Sequence, residues 1–290
     1  MTEQDARQLA EWNQRIEAEA RIRLWEPDQV PESGSGMGQR DPSITSFLPH
    51  PDTLAEGRKP GALLVCVGGG FVIKAPHEGW PVCRMLSENG IAAFLLDYRI
   101  SPCFLPTILG EAKRAMRLIR YRSGEWGIDP ERIGVMGFSA GGQIAVDLAT
   151  MFDAGDQNST DPVERVTCRP AVQVPCYPAV SLISRDDKPE GWRAWIDKML
   201  GPEADAENAR SYSGECNVRV DTPPAFLWGT CDDFLYKYWP PYLVALKEKG
   251  IPFESHIFSD GPHGLGLASD HPTARAWPGL AIDWLKSQGF

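Results

Sequence analysis

An α/β fold, with a mostly parallel central sheet covered by helices on both faces, follows from three features of the sequence. Continuous apolar runs of strand length at 62–67 and 91–96 end in turn residues, as strands buried on both faces do. Helical patterns at 80–89 and 106–126 follow those runs, and strand signals recur at 132–136, 171–176, 225–228 and 253–258. Strands separated by helices of that length pair in parallel through right-handed crossovers.

Taken in order, residues 4–24 carry a helical pattern with Leu9, Trp12 and Ile16 on one face. This opening helix is expected to pack on the main domain or on a second subunit of a homo-oligomer. A Pro/Gly/Ser stretch at 27–38 follows, in which Gly34, Gly36 and Gly38 break regular structure. The chain therefore divides into an N-terminal helix and linker, 1–40, and a main domain, 41–290. Further helices are expected at 141–149, 239–249 and 273–287, and the charged segment 182–218 is expected to form a small cap over the cleft. Ligands of such open sheets bind at the carboxyl ends of the strands.

The charge balance excludes some partners. With 29 basic against 39 acidic side chains the net charge is −10, which disfavours nucleic acid and anionic membrane surfaces. The cations from Lys113 to Arg122 fall at helical intervals around Met116, Leu118 and Ile119, the pattern of a solvated helix face. Seven cysteines form no C-x-x-C pair, and neither a zinc site nor a disulfide framework has its spacing here. No metal or cofactor is called for. Reduced thiols, a charged N-terminus and the lack of any stretch near ~18 uncharged apolar residues point to a cytoplasmic chain with no membrane segment.

Chemistry concentrates in four places, each just after an expected strand. Gly137-Phe138-Ser139-Ala140-Gly141 joins a strand to a helix, the position of a strained turn that exposes a nucleophilic serine. A serine hydroxyl needs a base. Of the histidines at 50, 77, 256, 263 and 271, His263 sits in the loop Gly261-Pro262-His263-Gly264 directly after a strand. The base needs an orienting carboxylate, and Cys231-Asp232-Asp233 follows another strand. On residue pattern alone either acid can serve, the other capping the turn. Gly68-Gly69-Gly70 after the first buried run offers unhindered amides, so Gly69 and Gly70, with Ala140 after the serine, are the expected oxyanion donors. A dinucleotide loop fits poorly, because the third glycine of G-x-G-x-x-G would fall at Ile73.

With these pieces placed, the sequence from about residue 60 onward resembles the bacterial acetyl esterase and acetylxylan esterase-like branch of the α/β-hydrolases, the endoxylanase-B-like and feruloyl-esterase-related group. The resemblance is carried by Gly68-Gly69-Gly70-Phe71 with His77-Glu78-Gly79, Asp97-Tyr98-Arg99, the Ser139 motif with Gly142, Thr222-Pro223-Pro224 running into Cys231-Asp232-Asp233, and the His263 loop. It implies an α/β-hydrolase fold and a Ser139–His263–Asp232 triad, the first acid of the pair taking the role. It also implies hydrolysis of short-chain, typically acetyl, esters on sugars or oligosaccharides. The family pattern has proline before the glycine triplet and tyrosine after it, where this chain has Val67 and Phe71. Phe71, Trp192, Trp195 and Trp239 are candidate substrate contacts, although core packing accounts for tryptophans equally well. Two rivals stand beside this reading: a serine peptidase of the prolyl-oligopeptidase type, and a binding protein on a hydrolase scaffold.

Overall fold

Every residue of the apolar run after Gly61 is buried on folding, and that run forms the middle of the sheet. The computed structural model describes residues 2–31, 39–54, 57–183 and 189–290, with the side chains of 189–192 excepted. The strands are β1 (Arg21–Arg23), β2 (Ser43–Phe47), β3 (Ala62–Cys66), β4 (Ala92–Asp97), β5 (Ile133–Phe138), β6 (Gln173–Cys176), β7 (Ala225–Thr230) and β8 (Phe253–Phe258). The helices are α1 (Glu3–Ala18), α2 (Trp80–Glu88), α3 (Leu105–Tyr121), α4 (Ala140–Thr150), α5 (Pro189–Leu200), α6 (Ala206–Ser211), α7 (Gly214–Asn217), α8 (Trp239–Glu248) and α9 (Trp277–Ser287).

The strands form one sheet in the order β1-β2-β4-β3-β5-β6-β7-β8. From β4 to β8 all pairings are parallel. Strands β3 to β7 are buried at every residue, whereas edge strand β8 alternates between half-buried and exposed positions. That difference is what two covered faces against one open edge require. Helices α2, α3, α8 and α9 each carry proline in their first two positions, where its missing N–H costs no helical hydrogen bond.

Periodicity gave no sign of β1 and β2. They pair antiparallel with each other and extend the sheet beyond β4, with Ile44 opposite Leu96. Three and five residues are too few for a pattern to register against the polar stretch around them. Helix α1 ends earlier than its sequence pattern, at Ala18, and packs on this chain's own domain. Trp12 and Ile16 are fully buried in the common core. The Trp12 ring meets Trp80 edge-on at 4.8 Å, and its Nε1 donates to Asp97 at 2.9 Å. Residues 32–38 of the Pro/Gly/Ser stretch lie outside the described residues.

Between β6 and β7 the chain makes the short helices α5 to α7, within the segment expected to form the cap. Residues 184–188 of that segment lie outside the described residues. Helix α5 reaches over the loops that follow β3 and β4: a Cβ on Gly70 would lie 3.2 Å from Lys198 Nζ, and one on Gly201 would lie 3.2 Å from the Phe104 ring. Among the described residues no disulfide joins any of the seven cysteines, and five of the seven are buried. Among the described residues no helix is long and apolar enough to cross a membrane.

Candidate active site

The parallel topology delivers six loops to one end of the sheet, those after β3, β4, β5, β6, β7 and β8. Ser139 stands at the turn from β5 into α4 with φ 52° and ψ −114°, outside the regions an L-residue prefers. Neighbouring hydrogen bonds hold it there. Its amide donates to the Cys176 carbonyl at 3.0 Å, and its own carbonyl accepts from Gln143 and Ala179, each at 3.1 Å. The flanking glycines are required by contact distance. A Cβ at Gly137 would lie 1.9 Å from the Gly141 carbonyl oxygen, and one at Gly141 would lie 2.1 Å from that of Cys66. Any side chain at either position would push the turn open.

His263 Nε2 lies 2.7 Å from Ser139 Oγ. On the other side of the ring, Nδ1 lies 2.7 Å from Asp233 Oδ2. The acid against the imidazole is therefore Asp233, and the expected Asp232 is corrected. Cys231 still pairs with β8, its amide donating to the Phe258 carbonyl, and the chain then turns with the Asp233 amide on the Thr230 carbonyl at 3.3 Å. This turn leaves Cys231 and Asp232 exposed and buries Asp233. Asp232 instead accepts from the Gly261 amide at 3.2 Å and steadies the histidine loop from outside. Asp233 also caps the turn, since its Oδ1 accepts from Leu235 N at 2.8 Å. One side chain thus fills both roles that the sequence divided between two acids.

The glycine run after β3 lies directly against the serine, a Cβ on Gly68 falling 2.9 Å from Ser139 Cβ. The Gly68 amide is already engaged, donating to Glu78 Oε2 at 2.6 Å. The Gly69 carbonyl accepts from Val72 and Ile73, at 3.1 Å each. Among the described residues no protein acceptor takes the amide hydrogens of Gly69, Gly70 or Ala140. Ala140 opens α4, whose N-terminal end carries partial positive charge toward the serine.

Besides Phe234, whose ring lies 4.8 Å from the imidazole, three further residues stand around it. Tyr177, immediately past β6, has φ 34° and sets its ring edge-on to His263 with centroids 5.2 Å apart. Its hydroxyl donates to Glu78 Oε1 at 2.8 Å and accepts from the Gly266 amide at 2.8 Å. His77 Nε2 lies 3.0 Å from the Gly264 carbonyl oxygen and 3.8 Å from Glu78 Oε1. Burial pushes the Glu78 carboxyl above its ordinary range, opposed by the nearby His77 and His263 and by the bonds from Tyr177 and Gly68. Glu78 entered the sequence reading only within the His77-Glu78-Gly79 stretch of the resemblance, with no role attached to it. Tyr177 could have been flagged by its place directly after a buried strand.

The substrate-contact candidates divide. Phe71 is buried, with φ 59°, and packs edge-on against Tyr98 at 6.1 Å, so it belongs to the core and not to the cleft. Trp239 is fully buried: its Nε1 donates to the Pro178 carbonyl at 2.8 Å, and its ring fills the space that a side chain at Gly229 would need. Both are corrections to the sequence-based expectation. Trp195 is half-buried on α5, with Lys198 Nζ 6.0 Å above its ring. The Trp192 side chain lies outside the described residues.

Comparison with known proteins agrees with this architecture. The family model described as the alpha/beta hydrolase fold matches residues 63–266. Endo-1,4-beta-xylanase B of Butyrivibrio fibrisolvens is 30% identical over 235 residues, covering 79% of this chain and 35% of that protein. Acetylxylan esterase of Xylanibacter ruminicola is 29% identical over 223 residues, covering 74% of this chain and 43% of that protein. The chain thus spans between a third and a half of the length of these curated relatives. The crystal structure of an acetyl ester-xyloside bifunctional hydrolase from Caldicellulosiruptor lactoaceticus superimposes with a TM-score of 0.85 at 40% identity, covering 93% of this chain and 97% of that one. With its sheet order, its serine turn and a family match over most of its length, the chain belongs to the α/β-hydrolase fold family.

Proposed function

We propose that this protein is a serine esterase that hydrolyses short-chain acyl esters, acetyl esters of sugars or xylo-oligosaccharides foremost, through an acyl-enzyme. The observation that carries the reading is the unbroken hydrogen-bond chain Ser139 Oγ–His263–Asp233, with both links at 2.7 Å. In the first step Ser139 Oγ attacks the ester carbonyl while His263 Nε2 takes its proton. Asp233 accepts from Nδ1–H, which fixes the tautomer and stabilises the imidazolium. The amides of Gly69, Gly70 and Ala140 receive the oxyanion. His263 then protonates the departing alcohol, and water activated by the same imidazole releases the acid. In that last step His263 Nε2 takes a proton from the water and returns it to Ser139 Oγ as the acyl–oxygen bond breaks.

The substrate class draws support from the relatives, whose names include an acetylxylan esterase and an acetyl ester-xyloside hydrolase. The half-buried Trp195 and Lys198 beside the glycine loop offer a ring face and a cation to a sugar. A fluorophosphonate probe tests the nucleophile: wild-type protein should label stoichiometrically and Ser139→Ala not at all. Turnover of p-nitrophenyl acetate should fall in that variant on the order of 10⁴-fold or more. Equal labelling of both proteins would return the chain to the class of binding proteins. A panel of acetylated xylo-oligosaccharides, aryl acetates, longer acyl esters and a prolyl p-nitroanilide, ranked by kcat/KM, tests the substrate. Preference for the anilide would favour the peptidase reading.

A further inference from the structure

Glu78 is a fully buried carboxyl that takes no part in the proton transfers above, yet it bonds directly to the glycine loop and, through Tyr177, to the His263 loop. Its Oε2 accepts from the Gly68 amide at 2.6 Å, one residue before the expected oxyanion donors. Its Oε1 accepts from the Tyr177 hydroxyl at 2.8 Å. Tyr177 in turn takes the Gly266 amide at 2.8 Å, three residues past His263, and lays its ring edge against the imidazole. The Trp277 indole donates to the Gly266 carbonyl at 3.0 Å and closes the far end. One buried carboxyl therefore joins the glycine loop after β3, the tyrosine after β6 and the histidine loop after β8.

We infer that Glu78 is a positioning residue, a clasp that sets the oxyanion loop and the His263 loop at their working separation. This rests on the esterase reading. The bonding is specific to a carboxylate. Both Gly68 N–H and Tyr177 O–H are donors, and the tyrosine oxygen already accepts from Gly266, so both Glu78 oxygens must accept. Glutamine supplies one acceptor and an NH₂ group, which would confront one of those donors. Protonating Glu78 creates the same conflict. The titratable groups facing it are His77 and His263, which when protonated would favour its ionised form, and Tyr98, Tyr177 and Cys176, which as anions would repel it. Burial raises its pKa, so the clasp fails as pH falls through a value above the usual carboxylate range.

The test is steady-state hydrolysis of p-nitrophenyl acetate by wild type, Glu78→Gln, Tyr177→Phe and the double variant. Misplacing catalytic groups by a fraction of an ångström to an ångström costs up to about 100-fold in rate, so E78Q should lower kcat about 10- to 100-fold while KM stays within about 2-fold. Y177F should lower kcat less, and the double variant should be no worse than E78Q alone, because both changes cut one linkage. In wild type the acid limb of log kcat/KM should include the protonation of Glu78, and in E78Q the limb should be shallower by that one ionisation. Wild-type kcat in E78Q, or strictly additive losses with an unchanged acid limb, would overturn the clasp. Should E78Q fail to fold, Y177F decides alone, wild-type kcat and pH profile in that variant counting against the proposal. An inactive wild-type protein would instead sink the esterase reading itself.

Discussion

At the scale of single residues, the competition between Asp232 and Asp233 is the sharpest test of the site. The two acids are adjacent and chemically identical, but only Asp233 is buried against the imidazole. Removing the charge of a triad acid, as in Asp233→Asn, leaves the histidine in the wrong tautomer and should lower kcat on the order of 10⁴-fold. Asp232→Asn keeps an oxygen acceptor for the Gly261 amide and should change kcat by less than about 10-fold. Parallel kinetics on the two variants checks the assignment, and a reversed ranking would restore Asp232. The serine and the histidine were legible from short motifs because a sharp turn and a loop after a strand leave local signatures. The choice of acid left none, since it depends on which way a turn faces.

At the scale of elements, α4 has a second feature besides its start at the Ser139 turn. Asp147 lies fully buried on it, its Oδ1 accepting from Gln143 Nε2 at 2.7 Å, and burial holds its carboxyl well above the ordinary range. The sign follows from linkage. The folded state keeps this proton after the unfolded chain has lost it, so stability falls as pH rises from the unfolded pKa toward the folded one. The slope from one such group is about 1.4 kcal/mol per pH unit. Asp147→Asn removes that dependence: urea unfolding should show the variant gaining on wild type between pH 4.5 and pH 7.5. A constant difference across that range would mean that Asp147 stays ionised in the fold. Helix periodicity anticipated the element, while the burial of one acid on its inner face was not visible in the pattern.

At the scale of the whole molecule, the N-terminal segment is built into the sheet and its core. Trp12 is fully buried, meets Trp80 and bonds Asp97 at the carboxyl end of β4. Asp97 also pairs with Lys74, a buried ammonium in the segment just past the glycine loop. Trp12→Ala should therefore cost about 3–5 kcal/mol in urea unfolding, the range for emptying a large aromatic site in a core. A loss under about 1 kcal/mol would show that α1 is dispensable to the fold. Its apolar face was legible from residue 9 onward; what it covers was not.

Local chemistry alone determined the alternation of strands and helices, the serine turn, the histidine loop and the glycine run. Each depends on residues within one strand or one turn, where apolar runs and missing Cβ atoms act over a few positions. Tertiary structure decided the rest. It chose Asp233 over its neighbour, put Phe71 and Trp239 into the core, added β1 and β2 at the edge, and tied Gly68 through Glu78 and Tyr177 to the His263 loop. The contacts that set the site join residues far apart in the chain, His263 lying 30 positions from Asp233 and 124 from Ser139, and no local window of sequence spans them.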